Sequence, residues 1–241
     1  MMTRLIAFLS LMILATAPVS AQSLSEADVK RLVLETILEN PEIVMEAVAI
    51  LQEREQAEQA ASSAAALAEN EDLLLNDPQA EVFGNPDGDV TVVEFFDYNC
   101  GYCRQASPTV AKLLESDPNI RLVMREFPIL GEGSVEAARA ALAARNQDGY
   151  EAFHWALMEM KGQAQLASVL KLAREQGLDA ERLQADMGAA EIDEHIANSM
   201  LLAQALGISG TPSFVIGDTL VPGALPLEQL QQIIAEEREN G

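Results

Sequence analysis

Basic residues are scarce in this sequence, and so are long hydrophobic runs. The chain has 15 lysines and arginines against 38 aspartates and glutamates, a formal net charge of −23. Nucleic acids and anionic membrane surfaces bind through basic patches, so this charge argues against both as partners. The uncharged segment 196–217 contains Asn198, Gln204 and Pro212. It is therefore predicted to form a helix end, a turn and a strand, and no stable membrane insertion is expected.

Cysteine and histidine are also rare, with two of each. A closed zinc site takes four ligands, and His154 and His195 lie on predicted helices far from the cysteines, which argues against zinc. We expect both histidines at a helix surface or a packed edge. Cys100 and Cys103 are separated by two residues, and a bridge across so short a loop removes little entropy from the unfolded chain. A purely structural disulfide is therefore disfavoured.

The amino terminus has the pattern of a signal peptide. Arg4 provides a basic start, 5–15 is a largely apolar run, and Val19-Ser20-Ala21 offers small residues for cleavage. The apolar run is too short to span a bilayer, which takes about 20 apolar residues. We therefore predict a leader over 1–21, a mature chain that begins at Gln22, and export from the cytoplasm.

Two amphipathic helices are predicted after the leader. Ser25 followed by Asp28 is typical of a helix start, and Asn40-Pro41-Glu42 ends this helix and begins the next. Two helices of this length cannot bury wide apolar faces in a core of their own. The faces therefore either fold back on the rest of the chain or bury each other by self-association. They consist of Val29, Leu32, Val33, Ile37, Ile43, Val44, Val48 and Leu51.

The segment that follows these helices, 52–72, is rich in alanine, glutamate and glutamine, with Leu67 as its only large apolar residue. High helix propensity without a large apolar stripe predicts a solvated helical stalk, and a disordered acidic linker is the alternative. Asp77-Pro78 is the predicted boundary. We thus expect a helical oligomerisation region and stalk over 22–78, and a second domain over 79–241.

The second domain has an α/β pattern. A nearly continuous apolar run over 90–96 predicts a strand that is buried on both faces, followed by a helix over 105–115 and a strand over 120–125. A helical stretch over 134–206 is broken near Gly149, Gly162, Gly177 and Gly188. The remaining predicted elements are two short strands and a helix, over 213–217, 219–222 and 227–237.

Cys100 and Cys103 lie between the first of these strands and its helix, a position that suits disulfide exchange. The reaction needs a thiolate that attacks and a second thiol near enough to release the mixed disulfide. Backbone N–H groups and the positive end of the helix dipole stabilise a thiolate on the first cysteine. Cys100 is therefore the predicted nucleophile, and Cys103, one turn inside the helix, is the resolving thiol. Two thiolates also suit Cu(I), so copper binding stays open.

Two further positions are candidates for the same site. Glu94 lies within the apolar strand, where an unpaired carboxylate is costly. We expect it either to stay neutral and shuttle the proton of Cys103, or to meet water at an open strand end. Pro212 stands between a helix end and a strand start, and proline cannot donate to a sheet ladder. A cis peptide bond between Thr211 and Pro212 would explain this position, although only about 5% of such bonds are cis.

Three separated motifs resemble those of the DsbA family of periplasmic thiol–disulfide oxidoreductases. They are FFDYNCGYC at 95–103, REFP at 125–128 and GTPSF at 210–214. The resemblance implies a thioredoxin fold with a helical insertion at about 131–206, in a catalytic domain over 79–241. It also implies a periplasmic location, exported proteins with cysteines as substrates, and a membrane redox partner that resets the dithiol. No cofactor is implied beyond the redox-active Cys100–Cys103 disulfide.

The resemblance also implies roles for the residues around the cysteines. Glu94 matches the acidic residue of the family on the strand that leads to the motif. Thr211 and a cis-Pro212 lie against the cysteines and pair with an extended substrate segment. Gly101 and Tyr102, between the two cysteines, are expected to contact the substrate.

The chain departs from the strong oxidases of this family at three places. They carry Cys-Pro-His-Cys, whereas Gly101 and Tyr102 intervene here. Their residue before the cis-proline is usually valine, whereas Thr211 resembles the isomerases, and they lack the amino-terminal helical extension. The arrangement is most similar to the suppressor-of-copper-sensitivity C proteins and to trimeric DsbA-like isomerases. It implies a homotrimeric protein disulfide isomerase, with a dithiol oxidase and a copper-binding protein as alternatives.

Overall fold

The computed structural model describes residues 25–240 and divides the chain into two compact units, one that ends at Glu55 and one that begins at Gln56. The predicted leader, 1–21, lies outside the described residues. Within 25–240, no helix combines the length and the apolar character needed to cross a membrane.

The first unit contains helix α1, Glu26–Glu39, and the beginning of helix α2, Glu42–Asn76. Ser25 caps α1, because its hydroxyl accepts from the Asp28 N–H at 3.2 Å while the Asp28 carboxylate accepts from the Ser25 backbone N–H. Helix α1 ends at the predicted Asn40-Pro41 break. Its apolar side chains are exposed or half-buried within this unit, as are those of the first turns of α2.

The second part of α2 belongs to the other unit and packs on its sheet. Ser63, Leu67 and Leu74 are buried there, and the Ser63 hydroxyl lies 3.4 Å from the Leu206 carbonyl oxygen. The predicted helix over 52–72 is present, but it is not solvated to its end. Leu67 and Leu74 are about two turns apart and therefore lie on one side of the helix. The compact unit thus starts before the predicted boundary at Asp77-Pro78.

A five-stranded sheet is the centre of the second unit. Its spatial order is β1-β3-β2-β4-β5, with β2 and β3 parallel and the other neighbouring pairs antiparallel. The strands are β1 (Glu81–Gly84), β2 (Val90–Phe96), β3 (Ile120–Glu126), β4 (Ser213–Ile216) and β5 (Thr219–Pro222). The predicted thioredoxin-like α/β fold is confirmed, and only β1, a short edge strand, was not expected.

Helix α3, Gly101–Ser116, connects β2 to β3, and a helical insertion separates β3 from β4. The insertion breaks near the expected glycines, and α9 closes the chain. The other helices are α4 (Glu132–Ala143), α5 (Tyr150–Glu159), α6 (Leu166–Glu175), α7 (Ala180–Asp186), α8 (Ala190–Ala205) and α9 (Leu227–Asn240), with a 3₁₀ turn over Ala144–Gln147 after α4.

The central strand β2 is buried on both faces, as its apolar run predicts. Val92 and Phe96 face a core that contains α3, α9 and most of the insertion, whereas Val93 and Phe95 face a second core with α2 and the end of α8. Because side chains alternate along a strand, Glu94 belongs to the face of Val92 and Phe96. That is the face on which both cysteines lie.

Five buried polar residues form a cluster between the end of α2, β3 and the insertion, which we call the polar cluster: Asp77, Arg125, Glu126, Tyr150 and His195. Asp77 is paired with Arg125, and Tyr150 donates to Glu126. The His195 ring lies 3.0 Å from a Glu126 oxygen and 3.3 Å from an Asp77 oxygen. Burial alone lowers the pKa of His195, but these two carboxylates outweigh burial and raise it. The expected surface or edge position is therefore wrong for His195.

His154 is buried as well, so the same expectation is wrong there. Its Nδ1 lies 3.0 Å from the hydroxyl oxygen of Tyr98, a residue that comes just before the cysteine motif. Burial lowers the pKa of His154 to about 3, which keeps the ring neutral near pH 7. A neutral ring with one hydrogen-bond partner is compatible with the aromatic core around it.

Candidate active site

Cys100 is the N-cap residue of α3, where the chain turns from β2 into the helix. Its backbone N–H donates to the Asp97 carbonyl at 3.0 Å, and its Sγ accepts from the Cys103 N–H at 3.4 Å. The first N–H groups of a helix have no partner within the helix and carry its positive partial charge. Both effects stabilise a negative sulfur at this position. Both cysteines are free thiols.

The two sulfurs differ in access. Cys100 keeps 6% of its surface exposed, whereas Cys103 keeps none. Burial raises the pKa of the Cys103 thiol well above its ordinary value, and the nearby Glu94 carboxylate adds to this rise. An incoming disulfide can therefore meet Cys100 first, while Cys103 stays protonated behind it.

Glu94 is buried beneath α3 on the face of β2 that carries the cysteines. Burial raises the pKa of this carboxyl to about 8. The carboxyl is therefore mostly protonated at pH 7 and ionises slightly above it. The alternative of a carboxylate at an open strand end does not fit a side chain with 3% exposure. Glu94 and Cys103 are thus two buried groups that mostly hold their protons at pH 7, and a negative charge on Glu94 raises the pKa of Cys103.

Thr211 and Pro212 complete the site from the loop before β4. Their peptide bond is cis, as expected, and the Cys100 thiol donates to the Thr211 carbonyl at 3.1 Å. A cavity of about 230 Å³ opens beside this loop, with a lining that spans 207–213 and includes Leu220, Pro222 and Gly223. A substrate sulfur at Cys100 would therefore have backbone groups of this loop beside it.

The two residues between the cysteines are on the outside of the first turn of α3. Tyr102 is 68% exposed, and a side chain added at Gly101 would meet nothing within 4 Å. In the loop after β3, Ile129 and Leu130 are also exposed. The backbone N–H of Leu130 donates to the Asp97 carboxylate at 3.0 Å. Exposed apolar side chains therefore lie in the first turn of α3 and in the loop that Asp97 binds.

Two polar residues that were not predicted from the sequence, Arg104 and Asn99, position the motif. The Arg104 guanidinium donates to the carbonyls of Tyr98, Met160 and Gly162 at 2.8, 2.9 and 2.6 Å. The Asn99 side chain accepts from the Ala164 N–H at 2.7 Å and donates to the Ala164 carbonyl at 3.0 Å. These bonds attach the start of α3 to the loop between α5 and α6.

The site offers few ligands for a metal ion. Within 25–240, the His, Cys, Asp and Glu side chains form no group of three or more that could hold one. Cu(I) at Cys100 and Cys103 would therefore rely on two sulfurs. One of these, Cys103, has a raised pKa because it is buried, which disfavours the thiolate that copper needs.

Two family models match separate parts of the chain. Residues 91–235 match a model described as the DSBA-like thioredoxin domain. Residues 26–58 match a model described as the copper resistance protein ScsC N-terminal domain. The two matches correspond to the second unit and to the helices that precede it.

Three solved structures illustrate the similarity. A thioredoxin-like oxidoreductase from Silicibacter pomeroyi DSS-3 is 63% identical, with a TM-score of 0.69, and the match covers 70% of this chain and 97% of that one. A linker-deletion mutant of Proteus mirabilis ScsC is 30% identical, with a TM-score of 0.70 and coverage of 92% and 100%. The thiol-disulfide exchange protein alpha-DsbA2 from Wolbachia pipientis is 31% identical, with a TM-score of 0.69 and coverage of 73% and 96%.

Several curated relatives are much longer proteins. A Na(+)/H(+) antiporter, NhaA 1, from Salinispora arenicola is 32% identical over 167 residues, which are 68% of this chain and 26% of the antiporter. The chain thus spans about a quarter of the length of these relatives. The match to the DSBA-like domain covers more than half of this chain, and ScsC matches along nearly all of it. The chain therefore belongs to the DsbA-like family of thioredoxin-fold thiol–disulfide oxidoreductases and has the N-terminal domain of the ScsC type.

Proposed function

We propose that this protein is a disulfide isomerase of the periplasm, which rearranges wrong disulfides in exported proteins. The observation that carries the proposal is the contrast between the two sulfurs, with Cys100 accessible at a helix start and Cys103 buried with a raised pKa. An accessible thiolate forms the mixed disulfide readily. A protonated, buried resolving thiol releases it slowly, which leaves time for a substrate thiol to do so.

The reaction begins when the Cys100 thiolate attacks one sulfur of a substrate disulfide. The new bond joins Cys100 to the substrate, and the other substrate sulfur leaves as a thiolate. Another substrate thiolate then attacks the mixed disulfide, forms a new substrate disulfide and returns Cys100 as a thiolate. The substrate has exchanged one disulfide for another, so there is no net oxidation and no electron donor is consumed.

Cys103 provides the exit when no substrate thiol arrives. Its thiol gives up a proton and attacks the Cys100 sulfur. The substrate leaves as a thiolate, so its original disulfide has been reduced by two electrons, and the Cys100–Cys103 disulfide remains. A membrane redox partner would have to return these two electrons. Glu94 is the proposed proton shuttle in this step. Its pKa of about 8 leaves a minor fraction of the carboxyl ionised at pH 7, and this fraction accepts the Cys103 proton and passes it on.

Assembly through the amino-terminal helices is part of the proposal. Within the first unit, α1 buries none of its residues. Exposed apolar side chains include Val29, Leu32 and Val33 of α1 and Val44 of early α2. Self-association would bury these faces, and closed cyclic symmetry is the usual result. The preference for a trimer comes from the resemblance to trimeric DsbA-like isomerases. Several active sites on one assembly could hold a misfolded substrate at more than one point.

A dithiol oxidase is the rival function, and refolding assays separate the two. The reduced protein should restore activity to a scrambled protein with several disulfides, whereas an oxidase requires the oxidised form and a reduced substrate. A Cys103→Ser variant should retain part of the isomerase activity and accumulate mixed disulfides that added reductant removes. Activity only from the oxidised protein on reduced substrates would contradict the isomerase proposal.

Copper binding is tested separately because it uses the same thiols. Cu(I) titration of the reduced protein is compared with a sample in which Cys100 has been alkylated. Tight binding that alkylation abolishes would support a copper-binding function beside exchange. Equal weak binding in both samples would contradict it.

A further inference from the structure

We propose that the substrate chain continues from Cys100 into a groove between β5 and α2, and that this groove prefers extended segments without acidic side chains. We call it the α2 groove. The inference rests on the proposed function, because it requires a substrate polypeptide held at Cys100. It adds a binding site for the chain that flanks the reacting cysteine. The lining of the groove is Gln56, Gln59, Ala60 and Ser63 of α2, with Asp218, Thr219, Leu220 and Pro222 of the β4–β5 hairpin.

The α2 groove continues from the cavity at the active site. Leu220 and Pro222 line both the cavity beside Thr211 and the α2 groove, whose volume is about 470 Å³. The Thr211 carbonyl lies 3.1 Å from the Cys100 sulfur. A chain that leaves a mixed disulfide at Cys100 and crosses Pro212 therefore arrives in the α2 groove.

One wall of the α2 groove is a sheet edge. Among the described strands, β5 pairs with β4 alone, so its outer edge is unpaired, and residues of β5 and of α2 line the same groove. Unpaired strand edges accept extended peptides by backbone hydrogen bonds. The opposite wall, from Gln56 to Ser63, is about 10 Å long at about 1.5 Å per residue. An extended chain advances about 3.3 Å per residue, so the wall accommodates about three substrate residues.

The walls determine which side chains fit. Gln56, Gln59 and Ser63 present uncharged polar groups, and Leu220 and Pro222 present apolar ones. Within this lining, Asp218 carries the only charge, which is negative. Acidic substrate segments would be desolvated beside a like charge without a basic partner, and such an arrangement is unfavourable. Uncharged segments avoid that cost.

Hydrogen bonds hold the α2 wall next to the active-site loop. The Gln59 amide donates to the Ser63 hydroxyl at 3.4 Å, and that hydroxyl donates to the Leu206 carbonyl at 3.4 Å. Leu206 immediately precedes the segment 207–213 that lines the cavity beside Cys100. The α2 wall is therefore placed relative to the loop that carries Thr211, and not only relative to β5.

The test uses one bulky substitution and a matched control on the same helix. Ala60 and Ala61 are neighbouring exposed alanines of α2, but only Ala60 lines the α2 groove. Successive helix positions differ by about 100° in direction, so a side chain at Ala61 points elsewhere. Ala60→Trp should fill the groove, whereas Ala61→Trp should leave it open and has the same change in size.

Three probes separate the groove from the thiol chemistry. Each is a mixed disulfide between a cysteine compound and thionitrobenzoate, and the colour of the thionitrobenzoate that Cys100 releases follows the reaction. The long probe is an uncharged peptide of about nine residues with a central cysteine, long enough to pass from Cys100 through the groove. The short probe is N-acetylcysteine amide. A third peptide, equal in length to the long probe, carries glutamates beside the cysteine.

With the reduced wild-type protein, the long probe should react faster than the short probe and faster than the acidic peptide. Ala60→Trp should reduce the rate constant for the long probe about tenfold, the effect of about 1.4 kcal/mol, and leave the short probe unchanged. Ala61→Trp should match the wild type with both probes.

Equal rates for Ala60→Trp and the wild type with the long probe would overturn the α2 groove and leave the proposed function intact. An equal loss with the short probe would also overturn it, since the substitution would then act on the thiols. Failure of the wild-type protein to react with the short probe would instead contradict the proposed function itself.

Discussion

Cys100 and Cys103 belong to the same turn of α3, yet their sulfurs have different surroundings. Cys100 is at the helix start and keeps 6% of its surface exposed, whereas Cys103 keeps none and its pKa is raised by burial. Alkylation of the reduced protein should therefore modify Cys100 alone, because the Cys103 thiol is buried and stays protonated. Mass spectrometry of the digested protein identifies the modified residue. The control in urea should show both cysteines modified, and equal labelling of both in the native protein would refute this assignment.

Glu94 should make the folded protein less stable as the pH rises. Its folded pKa of about 8 exceeds the ordinary value of 4.5, so the folded state binds one more proton than the unfolded state between these values. Stability should fall with pH across this window by up to about 1.4 kcal/mol per pH unit. A Glu94→Gln variant lacks this dependence and should exceed the wild type in stability by about 1–3 kcal/mol at pH 7.

Urea unfolding of both proteins at several pH values between 4.5 and 8 measures this effect. The stability difference should be smallest at pH 4.5 and grow toward pH 8. A difference that stays constant across the range would mean that Glu94 does not retain its proton in the folded state. The same variant should release mixed disulfides more slowly, because Cys103 loses its proposed proton acceptor, while alkylation of Cys100 should be unaffected.

Some residues of the site could be predicted from sequence, and others could not. Cys100 and Glu94 are recognisable because a short motif and an acid within an apolar strand are local signals. The unusual position of Pro212 follows from the strand that begins after it, whereas the place of Thr211 beside the cysteines was implied by the family resemblance. Arg104 could not be predicted, because it binds backbone carbonyls of Met160 and Gly162, which any residue type supplies.

The polar cluster connects the end of α2 to β3 and α8. Arg125 is fully buried and paired with Asp77, and His195 lies between Asp77 and Glu126. Asp77→Asn would leave a buried guanidinium without its counter-charge. Removal of one partner of a buried ion pair costs about 3–5 kcal/mol, so we expect a loss of this size in the free energy of unfolding.

The matched control for this variant is Asp193→Asn. Asp193 pairs with Arg139 on the protein surface at 2.6 Å, and both side chains are substantially exposed. Exposed pairs contribute about 0–1 kcal/mol, so this variant should unfold at nearly the wild-type urea concentration. Similar losses for the two variants would contradict the structural role of the polar cluster.

Elements were predictable where their own residues carry the pattern. The apolar run of β2 and the glycines between the insertion helices are such signals, and these elements lie where expected. Strand β1 was missed because its four residues, Glu81–Gly84, lack an apolar run and pair only along β3 at the sheet edge. The packing of α2 was missed because Leu67 and Leu74 are too far apart in sequence to make a visible stripe.

The structure shows how much of the amino-terminal region a truncation can remove. Removal of 22–72 would delete Leu67, which is buried in the second unit, and so damage the catalytic core. Removal of 22–55 leaves the compact unit complete. We expect this shorter truncation to be monomeric, to exchange a simple disulfide at the wild-type rate, and to lose most of its isomerase activity on a scrambled protein.

Light scattering at micromolar concentration and the two activity assays check this expectation. The intact mature protein, measured in parallel, should be an oligomer. A monomeric intact protein would contradict assembly through α1 and early α2. A truncated monomer that isomerises scrambled substrates as well as the intact protein would show that assembly serves another purpose.

The burial of Cys103 directly behind Cys100 has a consequence for oxidative damage. A peroxide that reaches the accessible sulfur converts Cys100 to a sulfenic acid, which further oxidant turns into an irreversible sulfinic acid. Cys103 is shielded from the oxidant but close enough to condense with the sulfenic acid, which expels water and forms the disulfide. The product is the ordinary oxidised state of the pair, which two electrons restore. The buried thiol therefore protects the exposed one from permanent loss.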